Sequence, residues 1–281
     1  MPIKGIVFDM DGILRFGNTP ANYANKLIEY IKDKDIPAMI VTNECRYTRE
    51  TILNDLNYME LNIPKTWPLY TSGIAVRDFI CREIIKDKNS LYAIGVVGEV
   101  GLKKTIEPLD LYNNCRIFDD PRVISENKST VKFLVIGTIN NMSNDVINKC
   151  NRWINTGAKI IITCPDVYDP GYDGYGLISP TKIIHLLSFQ RPQIESYNVG
   201  KPNPLISKQI KRFFKTQDLS EILFVGDTLD TDIRLANESG MKSCYVISSK
   251  FAETSLSWSI HRPDYICRDL VDVKSVIDHN I

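Results

Sequence analysis

The sequence predicts an α/β protein built on a parallel sheet, with a second α/β segment inserted into it. Three observations carry that expectation. Short, wholly apolar runs alternate with stretches of helical period, the rhythm of parallel strands covered on both faces. Runs that end in carboxylates, hydroxyls or a lysine fall into two blocks, one at the N-terminus and one beyond residue 196. Between them, from the polar stretch Lys86-Asp87-Lys88-Asn89-Ser90 to Arg191-Pro192, a separate strand–helix rhythm runs. The expected division is therefore 1–87 and 195–281 for one domain and 88–194 for the insertion.

Ile6-Val7-Phe8 is an apolar run of the kind that makes a doubly covered strand, and it stops at Asp9-Met10-Asp11-Gly12. Aspartate is a poor strand former, so Asp9 and Asp11 belong at the strand's carboxyl end, where open α/β sheets place ligand sites. Period 2 gives the two carboxylates a shared side if the strand persists that far. At ~4 Å they repel by roughly 4 kcal/mol at an effective dielectric of 20. A hard cation with oxygen ligands, such as Mg²⁺, is the simplest way to offset this.

Apolar groups at 23, 24, 27, 28 and 31 predict a helix over 21–34. Ala38–Val41 reads as a buried strand ending in Thr42-Asn43-Glu44, and a helix is expected at about 46–58. Residues 67–73 read as a strand into a turn, with Thr71 or Ser72 capping a helix at 74–87. In the insertion, 91–97, 131–136 and 159–163 read as strands, Ser143 caps a helix to about 156, and another helix spans 181–189. The Gly-, Pro-, Tyr- and Asp-rich stretch 164–176 is a long loop. From 196 a strand ends at Val199, before Gly200-Lys201-Pro202, and Pro204 starts a helix to about 215. Glu221–Val225 is a strand ending in Gly226-Asp227-Thr228-Leu229-Asp230-Thr231-Asp232; a helix follows, closed by Gly240. Strand 242–247 and helix 269–278 complete the chain.

The composition narrows the function. The 281 residues are 43% hydrophobic, ample for a core, and 34 basic residues balance 34 acidic ones. Without a basic excess there is no footprint for nucleic acid. No apolar run approaches the ~20 residues of a membrane span, and the N-terminus does not read as a signal peptide. Seven scattered cysteines, none in a Cys-x-x-Cys pair, read as reduced core thiols of a cytoplasmic protein. The sequons at Asn127 and Asn141 are then accidental, and His185 reads as a packed surface or core histidine and not a ligand. Gly95-Val96-Val97-Gly98-Glu99-Val100-Gly101 lacks the dinucleotide spacing and reads as a strand-to-helix turn. Lys103-Lys104 reads as a solvated face. Tyr168, Tyr172 and Tyr175 either stack on a flat substrate or seal an interface, while Asp166, Asp169 and Asp173 disfavour a strongly anionic substrate tail.

In a parallel sheet the polar strand ends share one edge, bringing Asp9 and Asp11, Thr42 and Asn43, Lys201, and Asp227 and Asp232 together. These are the parts of a phosphoryl-transfer site. One Asp can attack phosphorus, and a second carboxyl can trade protons with the leaving oxygen and then with water. Hydroxyl, amide and ammonium can hold phosphoryl oxygens, and further carboxylates can hold a metal.

Asp-Met-Asp-Gly-Ile-Leu, Val-Thr-Asn, Gly-Lys-Pro-Asn-Pro and Gly-Asp-Thr-Leu-Asp-Thr-Asp-Ile, in that order, resemble the haloacid dehalogenase (HAD) superfamily of phosphatases, in its NagD-like, p-nitrophenyl-phosphatase branch. A Tyr-Thr-Ser-Gly-x-Ala stretch at 70–75 adds to the likeness. The resemblance implies a Rossmann-like parallel-sheet core with an inserted α/β cap. It implies Mg²⁺-dependent hydrolysis of small phosphomonoesters through an aspartyl-phosphate, on a sugar phosphate, nucleoside monophosphate, phosphoglycolate or pyridoxal phosphate. By resemblance Asp9 is nucleophile and Mg²⁺ ligand. Asp11 is the general acid/base and binds Mg²⁺ through its carbonyl. Thr42, Asn43 and Lys201 hold phosphate, Asp227 binds Mg²⁺, and Asp232 ligates through water or orients the site. Dimer contacts through the cap are also implied. The chain departs from the pattern at Glu44, expected as a solvated or helix-start carboxylate, and at Thr163-Cys164-Pro165-Asp166 and Ser179-Pro180-Thr181-Lys182. The competing readings are a non-catalytic phosphometabolite-binding protein on the same fold and a phosphotransferase or mutase.

Overall fold

The structure, a computed structural model, describes residues 2–124, 130–167, 176–189, 191–247 and 256–280. By internal contacts the chain forms two compact units. The first comprises Met1–Thr42, Arg49–Tyr70 and Lys201–Ile281; the second comprises Asn43–Thr48 and Thr71–Gly200.

The strand elements in chain order are β1 (Gly5–Phe8), β2 (Arg15–Phe16), β3 (Thr19–Pro20), β4 (Ala38–Thr42), β5 (Leu69–Thr71), β6 (Leu91–Val97), β7 (Cys115–Ile117), β8 (Thr130–Ile136), β9 (Lys159–Ile162), β10 (Ser196–Asn198), β11 (Ile222–Gly226), β12 (Lys242–Val246) and β13 (Tyr265–Cys267). The α-helices are α1 (Ala24–Asp33), α2 (Arg49–Tyr58), α3 (Ser72–Lys86), α4 (Val100–Ile106), α5 (Asn144–Asn155), α6 (Pro180–Ser188), α7 (Pro204–Phe214), α8 (Arg234–Ser239) and α9 (Leu270–Asp278).

The first unit is organised on a six-stranded sheet of order β13-β12-β11-β1-β4-β5. β1 sits at its centre, parallel to β11 on one side and to β4 on the other. Every residue of β1 is buried, as its unbroken apolar run demands. The helices obey the apolar spacing: α1 turns Ala24, Leu27, Ile28 and Ile31 inward. Pro204 opens α7 behind an Asn203 cap, and Gly240, at φ +75°, ends α8 in the left-handed conformation expected of it.

The second unit has its own parallel sheet, β10-β9-β8-β6-β7. Its core gathers Leu134, Ile136, Ile160, Ile162 and Ile183 around the wholly buried Trp153 of α5. The caps act where expected. Thr71 Oγ1 accepts from the Ile74 amide at α3, and Ser143 Oγ accepts from the Val146 amide at α5.

The division lies elsewhere than the polar stretch at 86–90. α3 groups with the second unit, because it packs on α4 and because Tyr92 Oη, on β6, donates to the Glu83 carbonyl. Lys86–Ser90 is thus a connection within that unit. The hairpin β2–β3 and the edge strands β7 and β13 lie outside the sequence expectation. Residues 168–175, with Tyr168, Tyr172, Tyr175, Asp169 and Asp173, lie outside the described residues, as does Asn127. His185 stands on the exposed face of α6. Among the described residues no helix is long and apolar enough to cross a membrane.

Candidate active site

The carboxyl edge of the first unit's sheet concentrates ionisable groups. Asp9 is the first residue past β1, and its amide donates to the carbonyl of Val225 on β11. That bond carries the sheet's pairing one residue beyond the strand and fixes where the carboxylate leaves the chain. Asp9 is 7% exposed. Lys201, 2% exposed, directs Nζ to Asp9 Oδ1 at 2.5 Å and to Asp232 Oδ1 at 2.7 Å.

Asp232 explains how the loop after β11 holds its shape. Its carboxylate is fully buried, and Oδ2 accepts from the amides of Asp227 and Thr228, each at 3.2 Å. It sits in a π-helical turn, Leu229–Ile233, that leads into α8. One side chain thus fixes both the loop that presents Asp227 and the ammonium that faces Asp9. Tight packing there requires Gly226: a Cβ on it would lie 2.4 Å from that of Asp232. Gly12 is constrained twice over, by a φ of +87° and because a Cβ there would lie 2.0 Å from Asp227 Oδ2. The turn after β1 and the turn after β11 therefore touch.

Carboxylate oxygens of Asp9, Asp227 and Asp232 all lie within 4.8 Å of one another. Burial drives the Asp9 carboxyl well above its ordinary range. Lys201 opposes that rise, while Asp232 and Asp227 add to it. For Lys201, burial works against the charge, but Asp232 and Asp9 outweigh it and hold the ammonium above its ordinary range. The Tyr245 hydroxyl is pushed up to about 12 by burial and by the same Asp227 and Asp232. This oxygen-only, hard donor set, short of positive charge, fits a divalent ion such as Mg²⁺.

The other expected site residues fall as follows. Asp11 turns its carboxylate to Arg15, whose Nε donates to Oδ1 at 2.8 Å. Thr42, buried, closes β4 beside β1. Asn43 belongs by its contacts to the second unit, where its carbonyl accepts from Ser72 Oγ and its amide donates to Asp166 Oδ2 at 3.0 Å. The structure thus gathers Asp9, Lys201, Asp227 and Asp232. Glu44 corrects the expectation of a solvated carboxylate: it is buried, and the Arg46 amide, Nε and a terminal nitrogen all donate to it. Arg15 and Arg46 escaped the sequence reading, although each stands within four residues of a carboxylate it could reach.

A parallel-sheet α/β core with a carboxylate pair after its central strand, a buried lysine and a second acidic loop has the parts of a phosphoryl-transfer site. Residues 6–111 match the family described as haloacid dehalogenase-like hydrolase, and 198–273 match a second, HAD-hydrolase-like family, together more than half of the chain. An acid sugar phosphatase of Staphylococcus haemolyticus is 27% identical over 99% of this chain and 97% of its own. The ribonucleotide monophosphatase NagD of Escherichia coli K12 is 26% identical over 97% of this chain and 99% of its own. Among solved structures, a hypothetical protein of Pyrococcus horikoshii superposes with a TM-score of 0.81 at 27% identity, covering 98% of this chain and 100% of its own. A 4-nitrophenylphosphatase of Thermotoga maritima, at 22% identity and covering 98% of this chain and 97% of its own, shares the fold with a TM-score of 0.79. The chain belongs to the haloacid dehalogenase-like hydrolases, as a phosphatase of their NagD-like branch.

Proposed function

We propose that this phosphatase hydrolyses small phosphomonoesters through an aspartyl-phosphate on Asp9, with Mg²⁺ as its metal. The observation that carries the reading is the buried Asp9 held at 2.5 Å from Lys201 beside Asp227 and Asp232. Asp9 contributes a carboxylate oxygen that attacks phosphorus, and the ester O–P bond breaks. The departing oxygen takes a proton from the Asp11 carboxyl. Asp11 then accepts a proton from water as that water attacks the aspartyl-phosphate. The bond from phosphorus to Asp9 breaks, inorganic phosphate leaves and the carboxylate is restored. Lys201 faces the phosphoryl oxygens with a buried positive charge, and Thr42 and Asn43 supply a hydroxyl and an amide to them.

Asp9, Asp227 and the Asp11 carbonyl are the groups that would hold Mg²⁺, which when bound neutralises charge on the carboxylates and the phosphoryl group. Full-length likeness to an acid sugar phosphatase and to a ribonucleotide monophosphatase favours a sugar phosphate or nucleoside monophosphate.

A panel of phosphomonoesters assayed for phosphate release, with Mg²⁺ and with excess chelator, tests this reading. Turnover is expected with Mg²⁺, to vanish on chelation and to return when Mg²⁺ is restored. Asp9→Asn is expected to lose about three orders of magnitude or more in kcat while remaining folded. Undiminished turnover in that variant would remove the nucleophile assignment. Transfer of phosphate to an added alcohol in place of water would redirect the reading to a phosphotransferase.

A further inference from the structure

Arg15 is among the largest fully buried side chains of the chain, at 2% exposure, in a loop whose neighbours Ile13 and Leu14 are wholly apolar and buried. Its backbone closes that loop. The Leu14 and Arg15 amides both donate to the Met10 carbonyl, and the Gly12 amide donates to the Arg15 carbonyl at 2.8 Å. The guanidinium then reaches back four residues, and Nε meets Asp11 Oδ1 at 2.8 Å. The Asp11 side chain itself is 38% exposed. A buried cation therefore holds a part-exposed carboxylate.

We propose that Arg15 is the positioning residue of the acid/base: it fixes the Asp11 carboxyl in the orientation from which protons pass to the leaving oxygen and from water. The inference rests on the acid/base reading of Asp11 given above. Asp11 stands beyond the end of β1, before the turn at Gly12, and is bridged to Arg15. A charge-assisted hydrogen bond from a side chain that is itself immobilised by burial restrains its carboxylate. A planar guanidinium is suited to this, since it presents donors in fixed directions and stays charged when buried. The hairpin β2–β3 starts at Arg15, paired with Pro20, and anchors the backbone from which the guanidinium extends.

The test is a double-mutant cycle on the full chain, with p-nitrophenyl phosphate and Mg²⁺, over Arg15→Gln, Asp11→Asn and both together. Each variant's thermal midpoint is recorded alongside kcat and KM. Arg15→Gln is expected to lower kcat by about 10- to 100-fold, the scale of a small misplacement of a reacting group, with KM within about threefold of the parent. Arg15→Lys, which keeps the charge but not the planar donor, is expected to recover only part of that loss. In the Asp11→Asn background, Arg15→Gln is expected to change kcat by less than about twofold, since its partner's function is already absent. A general structural role would instead carry the full loss into the double variant, and that additive result overturns the inference. So does a parental kcat in Arg15→Gln. Parental turnover in Asp11→Asn would overturn the acid/base reading itself, and the inference with it. If Arg15→Gln does not fold, Arg15→Lys carries the same cycle.

Discussion

The first unit ends its central strands in Asp9, Thr42 and Gly226-Asp227, whereas the second ends its own in Gly98, Gly137, Thr163 and Val199. Both are parallel sheets with their carboxyl edges open to the same use. The contrast extends to buried charge. Among the described residues, the second unit buries Glu44 and Arg46, which neutralise one another through three hydrogen bonds. The first unit buries Asp9 and Asp232 around the single ammonium of Lys201, with Asp227 alongside, and separately buries the Arg15 guanidinium against the part-exposed Asp11. A closed pair is complete without a ligand. A cluster short of positive charge is completed by one, so the uneven balance around Lys201, and not the sheet, distinguishes the first unit's cluster from the second unit's pair.

The largest effect that sharpens this contrast comes from Lys201→Met. Removing the shared cation leaves Asp9 and Asp232 buried against each other, and loss of one member of a buried ionic set costs about 3–5 kcal/mol. Turnover is expected to fall by about 10²-fold or more as well, because in the proposed reaction the buried charge stabilises the phosphoryl group. Urea unfolding with and without Mg²⁺ checks both halves. Added Mg²⁺ is expected to restore part of the stability but none of the turnover. An unfolding midpoint equal to the parent's would show that the carboxylates do not depend on the lysine.

In the second unit the corresponding change is Arg46→Met. It strands the Glu44 carboxylate and is expected to cost about 3 kcal/mol by the same reasoning. Here the partner substitution should help: Arg46→Met with Glu44→Leu is expected to be more stable than Arg46→Met alone, since a closed pair can be replaced as a whole. Pairing Lys201→Met with Asp232→Leu offers no such recovery, because Asp232 also holds the Asp227 and Thr228 amides. Equal recovery in both units would erase the distinction drawn between them.

How much of this was readable in the sequence depended on the range over which each feature is determined. β1, β4, β6, β8 and β11 were legible because a short, mainly apolar run needs no partner to be recognised. The caps at Thr71 and Ser143 were legible because a cap is a bond across three residues. β7 and β13 were not: each is a three-residue edge strand with one residue buried, too short and too exposed to show a period. The hairpin β2–β3 did leave a signal, since Gly17-Asn18 joins its two-residue strands. The roles of Arg15 and Arg46 escaped because burial of a cation beside its carboxylate is set by how the loop folds back. The group at Asp9, Lys201, Asp227 and Asp232 was legible because a parallel sheet brings its strand ends to one edge, whatever their distance along the chain.

The smallest expected effect concerns features the two units share. Asp120 in the second unit receives Arg122, and Asp272 in the first receives Arg268, each through backbone and side-chain donors. The Arg122 hydrogen bonds hold Asp120 at about 2, and those from Arg268 hold Asp272 at about 2. An unfolded aspartate titrates near 3.9, so each folded carboxyl is the stronger acid. The stabilisation is therefore present above about pH 4 and is lost as pH falls toward 2, where both states become protonated. Both pairs are exposed, so each contribution is small and screened by salt. Asp120→Asn and Asp272→Asn are expected to melt slightly below the parent at pH 5, with the gap closing as pH approaches 2 and narrowing in high salt. Because the unevenness of charge lies inside the first unit and not on the surface of either, the two gaps should be of similar size. A much larger gap for one variant would place part of the difference between the units on their surfaces.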